Sequence, residues 1–195
     1  LIFMIGIGAL LQQYRLSLTH DLGFTKENVL VLPITKKKQD ILKNTLMINP
    51  DVNKVSFSSS IPGTDFGSKE YIYFKESQDS MRYYPVKMSE SFIDHMNLQL
   101  VWGKSPNPLN KQIPDVVVNQ EFMKDIRPMI AGSDSLVIQL KNGPARISGI
   151  VKNYHHEPLN SGIYPMILSL SDECTYALVS ISSTDLVQTL ESLEK

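Results

Sequence analysis

Val29-Leu30-Val31-Leu32-Pro33-Ile34, the polar-and-apolar stretch Lys36 to Asn49, and Val52-Asn53-Lys54-Val55-Ser56-Phe57-Ser58 decide the fold. Val29 to Ile34 is a short apolar run rich in β-branched residues, bounded by Asn28 and Pro33, and fits a strand buried on both faces. Lys36 to Asn49 reads as a helix. Ile41, Leu42, Thr45, Leu46 and Ile48 fall on one broad face, Lys36, Lys37 and Lys38 face water, and Asn49-Pro50 stops it. Val52 to Ser58 reads as a second strand. The result is β-α-β, a unit that normally makes a parallel, right-handed pair.

The far end of the chain mirrors this opening. Ile163 to Leu170 and Tyr176 to Ser182 are apolar and strand-like. Ser182 or Ser183 then caps a last helix, with Asp185 in its first turn and Leu186, Val187, Leu190 and Leu193 on one face. The middle is richer in strands. Ser58 to Gly67 is a polar loop. Glu70 to Phe74 and Tyr83 to Lys87 alternate and are expected to pair as antiparallel strands around a Gln78-Asp79-Ser80 turn. Ser89 to Asn97 is a short helix with Ser89 as N-cap, and Leu98 to Trp102 is a strand ending at Gly103. Val116 to Val118 is a strand whose neighbour Asn119 caps a helix to Ile126. Leu136 to Leu140 and Ala145 to Val151 flank Lys141-Asn142-Gly143-Pro144, where Asn-Gly is a hairpin signal that Pro144 pushes to an edge or to a wider loop. The fold class expected is α+β with two subdomains. Residues 16–59 and 152–195 make an α/β subdomain with a mixed sheet, and residues 60–151 form an inserted, mainly β one.

The amino end carries a different signal. Leu1 to Leu11 reads LIFMIGIGALL, without a charge, and Gln12, Gln13, Tyr14 and Arg15 follow. A spanning helix needs about 20 apolar residues. A buried core helix and a signal-peptide core are alternatives, but no small-residue cleavage site follows. The preferred reading is that residues 1–15 are the truncated end of a transmembrane helix, with Gln12, Tyr14 and Arg15 at headgroup level.

Composition narrows the function classes. The 195 residues are 42% hydrophobic and 20% charged, with a net charge of -1, which argues against disorder and against a dedicated nucleic-acid binder. One cysteine, Cys174, excludes an internal disulfide and any multi-cysteine zinc site.

Several segments resemble one family in order and spacing. They are Asp21-Leu22-Gly23-Phe24-Thr25-Lys26-Glu27-Asn28, Ile61-Pro62-Gly63, and Phe92-Ile93-Asp94-His95-Met96-Asn97 running on through Trp102-Gly103-Lys104. Val116-Val117-Val118-Asn119-Gln120-Glu121 follows, and then Ile147-Ser148-Gly149-Ile150-Val151-Lys152-Asn153-Tyr154-His155 with Pro158-Leu159 and Ile163-Tyr164-Pro165. Together they are similar to the MacB-like periplasmic core domain of FtsX-like ABC-transporter permeases, especially the Bacteroidetes variety. The resemblance implies a porter-like α/β subdomain and a sabre-like insert, held between membrane helices on the periplasmic face of a bacterial inner membrane. It also implies a cytoplasmic ABC ATPase partner, a periplasmic adaptor or substrate protein, and a dimer in the full transporter. The function expected is coupling of ATP-driven motion to efflux or to lipoprotein or peptide export. The alternative is the extracytoplasmic sensor domain of a receptor or histidine kinase.

No catalytic, cofactor-binding or metal residue is assigned, and no enzyme activity is expected. His155-His156-Glu157 is the sharpest chemical-looking cluster, but neighbours on a strand point to opposite faces, so the two histidines do not share a metal. Ordinary hydrogen bonding in a loop at a strand end is expected there. Ser56 and Ser58 to Ser60 lack the G-x-S-x-G of a nucleophile elbow. Lys36 to Lys38 is a solvated helix start, with anionic lipid headgroups as the alternative partner. Trp102 is expected to be packed, and Cys174 to be a semi-exposed free thiol.

Overall fold

A computed structural model describes residues 21–35, 39–64, 68–73, 80–129, 136–158 and 161–182. The apolar amino-terminal run, Lys36 to Lys38 and the helix expected after Ser182 lie outside the described residues. Among those described, no helix is long and apolar enough to cross a membrane.

The opening unit forms β1 (Val29–Pro33), α1 (Gln39–Leu46) and β2 (Val52–Ser58). The two strands run parallel, but they do not touch. The last strand, β10 (Tyr176–Ile181), lies between them, antiparallel to both, with Val179 opposite Leu30 on one side and Val55 on the other. The direct parallel pair expected from β-α-β is therefore a split one. The reason is in β10 itself: Ala177, Leu178 and Val179 are all buried, and a strand apolar on both faces needs a neighbour along each edge and a layer over each face. On one face, Leu46 of α1 joins Val52, Val55, Phe57, Ala177, Val179 and Ile181 in a core made wholly from the chain ends.

Beyond β2 the sheet continues through β4 (Ser80–Met88), β9 (Met166–Leu170), β6 (Asp115–Asn119), β8 (Gly143–Val151) and β5 (Leu100–Gly103). β4 and β9 are parallel, as are β6 and β8, while β6 and β9 are antiparallel. β3 (Glu70–Tyr73) extends the first half of β4, and β7 (Val137–Leu140) pairs with the first half of β8. Pro144 sits where β8 pairs only with β7, before its ladder with β6 begins at Arg146, so its missing N–H costs that second ladder nothing. β9 comes from the carboxy-terminal part of the chain, yet it bonds to β4 and β6 of the middle. One sheet thus runs through both regions that the sequence separates.

Two further cores fill the faces. Tyr84, Met88, Phe92, Ile93, Val117, Leu168 and Leu178 meet under α2 (Phe92–His95). Ile72, Tyr83, Val118, Phe122, Ile126, Ile138 and Ile147 meet under α3 (Gln120–Ile126). α2 is shorter than expected, and Ser89 does not cap it: the Ser89 hydroxyl accepts instead from the Phe57 amide of β2 at 2.9 Å. At the end of β5, Gly103 has φ +72°, and a Cβ there would lie 2.2 Å from the Ser148 carbonyl oxygen, so only glycine lets β5 close against β8.

Asn119 is the expected cap and does more than cap. Its Oδ1 accepts from the Phe122 amide at 3.0 Å and from the Met166 amide at 2.9 Å, and its Nδ2 donates to the Tyr164 carbonyl at 2.8 Å. One fully buried side chain therefore starts α3, ends β6 and registers β9. Asn119→Ala leaves buried backbone donors unpaired at both elements. We expect it to lower unfolding free energy by about 2–4 kcal/mol in urea denaturation, well above the roughly 1 kcal/mol of an exposed cap.

Candidate functional site

The segment after β8 is a clasp. The Lys152 amide donates to the Gln99 carbonyl at 2.8 Å, and the His155 amide to that of Leu22 at 2.9 Å. Asn153 accepts from the Glu121 amide through its Oδ1 at 2.9 Å. Tyr154 is buried and meets Phe24 and His156 edge-on, with ring centroids 6.3 and 6.0 Å away. His156 Nε2 shares a 3.0 Å hydrogen bond with the Ser60 hydroxyl, and its carbonyl accepts from Gly63 at 2.8 Å. The entry segment fits against this loop closely. Gly23 has φ +81°, and a Cβ there would come within 2.9 Å of Tyr154 Cβ. Three segments distant in sequence (22–24, 60–63 and 152–156) are thus fastened to one end of the sheet. Glu157 is also buried and, with Tyr84, Tyr154 and His156, lines a cavity of about 10 Å³. Among the described residues, no three His, Cys, Asp or Glu side chains are grouped to hold a metal ion.

A second polar knot was not legible in the sequence. His95 of α2 is buried between two hydroxyls. Its Nδ1 lies 2.6 Å from Ser56 Oγ of β2, and its Nε2 lies 2.7 Å from Ser180 Oγ of β10. Burial first, and then the Lys54 ammonium, push the imidazole down from its ordinary 6.5 to about 4, against an opposing pull from Asp94. Lys54 and Asp94 form their own 2.9 Å ion pair at the surface. A neutral imidazole suits the site, because each nitrogen faces a hydroxyl that can either donate or accept. Ser56 is closed to solvent, so this Ser-His contact faces no cleft. The partners are 39 and 85 residues from His95, and no local pattern marks them.

The remaining serines are struts. Ser58 Oγ accepts from the Ser60 amide at 3.3 Å, and Ser59 Oγ accepts from the Lys87 amide at 2.9 Å, joining β2 to the end of β4. Asp115, at the head of β6, is nearly closed off. Burial alone would raise its carboxyl, but bonds from Arg146, the Asn110 side chain and the Asn107 amide outweigh that and hold it below the usual range.

Two expectations are corrected. Cys174 is fully buried, not semi-exposed. It belongs to the core of the chain ends, its thiol points at the Lys87 and Ser171 carbonyls, and burial raises it to about 11. Trp102 is not packed. It is 50% exposed on the edge strand β5, beside Val101 at 45%. The cause is a bulge: Leu100 stands opposite Val151 but Trp102 stands opposite Ile150, so Trp102 turns to the other face and away from the central core that Leu100 joins. An open cleft of about 700 Å³ lies between residues 21–27 and Asn97, Gln99 and Lys152.

This architecture is similar to that of extracytoplasmic domains of transport proteins. The chain superposes on the periplasmic region of MacB from Actinobacillus actinomycetemcomitans with a TM-score of 0.55 and 14% identity, over 86% of this chain and 81% of that one. A permease-protein domain from Porphyromonas gingivalis gives 0.53 and 14%, over 84% of this chain and 78% of that one. The extracellular domain of the noncanonic ABC-type transporter YknZ from Gram-positive bacteria gives 0.53 and 10%, over 86% and 87%. No protein-family model and no curated protein sequence matches the chain. At these identities the likeness establishes the MacB-like periplasmic fold, in agreement with the expectation from the sequence.

The His95 knot predicts a pH dependence. The unfolded chain binds a proton on His95 below about 6.5, while the folded chain binds it only below about 4. Stability is therefore greatest above 6.5, falls as the pH drops through that window and levels off below it, by about 2 kcal/mol once solvent screening is allowed for. His95→Gln, followed by urea unfolding at several pH values, removes that part of the slope. Cys174 predicts slow chemistry: a thiol reagent such as Ellman's reagent modifies the native chain at least a hundredfold more slowly than the urea-unfolded chain.

Proposed function

We propose that the chain is the extracytoplasmic domain of an ABC-transporter permease in a bacterial inner membrane. Facing the periplasm, it couples ATP-driven motion of a cytoplasmic ATPase to the handling of a substrate or partner, in efflux or in lipoprotein or peptide export. The observation that carries this reading is the likeness to three transporter domains across more than four-fifths of the chain.

The placing of the first and last strands supports it. The Ile181 amide donates to the Asn28 carbonyl at 3.0 Å, and the Ser182 amide to that of Asp51 at 2.9 Å. The entry to the first strand and the exit from the last are therefore side by side. A domain with its two ends at one pole can be strung between two membrane helices and moved by them as a body. In this reading the work is mechanical: two orientations of the domain make different contacts with a periplasmic adaptor or substrate, and ATP binding selects between them. The domain performs no catalysis of its own, and the assembled permease is a dimer.

The test is purification of the intact membrane protein with its native partners. We expect a nucleotide-binding subunit or domain to accompany it, and ATP hydrolysis to change at least twofold when residues 21–182 are replaced by a short flexible linker. A polypeptide that carries a kinase module after a single span, with no ATPase attached, overturns the reading in favour of a sensor.

A further inference from the structure

We propose that the β5 edge is a docking site for an extended, acidic segment of a partner protein, which adds to the sheet as a further strand. The proposal deepens the partner half of the reading above by naming a surface and a chemistry.

Four observations converge on β5. It ends the path of the sheet and pairs with β8 alone among the described residues, so its outer backbone groups face outward as a template for another strand. It carries Val101 and Trp102 half-exposed, and the bulge places the indole on the rim, where it can cover an added chain. An exposed lysine stands at each end: Lys104 follows the strand, and Lys152 is fixed beside Gln99 by its amide hydrogen bond. Neither lysine makes an ion pair among the described residues, and no Asp or Glu occurs between Asn97 and Pro114. Glu121, joined to the neighbouring Asn153 through its amide, is engaged by Lys124 at 2.8 Å, while Asp21 and Glu27 line the same cleft as Lys152 without forming an ion pair with it.

The spacing sets the ligand. Gln99 to Lys104 is a five-residue step along a bulged strand, at most about 16 Å, so a partner strand meets both ammonium groups when its acids are no more than about five positions apart. Two rival occupants fit less well. A second copy paired antiparallel through β5 sets Lys104 of each copy against Lys152 of the other, like charges face to face. An anionic membrane would use the two lysines, each worth about 1 kcal/mol, but has no use for a backbone edge.

The experiment uses the full 195-residue chain in mild detergent and fluorescein-labelled, end-blocked octapeptides of alternating valine and threonine. One carries two glutamates five positions apart, a second carries them adjacent, and a third replaces both by lysine. Fluorescence anisotropy should show the spaced glutamate peptide binding at least tenfold tighter than the lysine peptide and about threefold tighter than the adjacent one. Raising salt from 50 to 300 mM should weaken it severalfold. Trp102→Ser should weaken every peptide. The exposed pair Lys104→Glu and Lys152→Glu should reverse the preference toward lysine, a gain that a misfolded chain could not show. Equal binding of glutamate and lysine peptides, or none, overturns the proposal. So does lysine-dependent capture by phosphatidylglycerol vesicles without peptide binding, or a dimer in sedimentation that Trp102→Ser abolishes. Because only the chain and a peptide are needed, failure here leaves the transporter reading standing, and success here does not depend on an ATPase.

Discussion

Everything in the fold hangs on the last strand occupying the gap between the first two. β10 hydrogen-bonds β1 along one edge and β2 along the other, and its Ala177, Leu178 and Val179 supply side chains to the cores on both faces. The β-α-β opening cannot close without it. β1 and β2 would each be left with an open edge, and Val55 and Phe57 would lose the side chains they pack against. This ties the two ends of the chain together before the middle is considered. It also brings the start of β1 and the end of β10 side by side.

Buried polar groups then set the register that apolar packing alone leaves loose. Valine and isoleucine strands slide past one another at little cost in buried area, but a misregistered hydroxyl or amide is left unpaired in a dry interior, at a cost of about 1–3 kcal/mol each. Asn119 locks β6, α3 and β9. His95 locks α2 to β2 and β10 through Ser56 and Ser180. His156 and Ser60 lock the loop after β8 to the loop after β2. Each lock joins segments far apart in the chain, and none opens on a large cleft.

The surface divides differently. β5 is short, bulged and bordered by lysines, and the aromatic side chain it presents is held out by the bulge rather than by any lack of core. The same feature that spoils regular pairing with β8 creates the exposed rim. A partner with backbone to offer and acidic side chains gains from both.

Local pattern was enough for most elements. The alternation in Glu70 to Phe74 and Tyr83 to Lys87, the cap at Asn119 and the hairpin signal Asn142-Gly143 are all short-range, and strands and a helix start are present there, although β4 already begins at Ser80 and Lys141-Asn142 make the turn, with Gly143 paired to Leu140. The likeness in order and spacing also pointed to the right fold, because a family pattern is itself a record of which segments meet. Three things needed the tertiary structure. Which strand fills the gap beside β1 depends on a pairing about 150 residues away, and periodicity carries no partner information. The surroundings of Cys174 and Trp102 depend on what lies over them: Ser171 and the end of β4 in one case, a bulge in the other. The polar knots, finally, read in sequence as unremarkable single serines and histidines, because a hydrogen bond is set by distance in space, and only the folded chain brings its two halves within 3 Å.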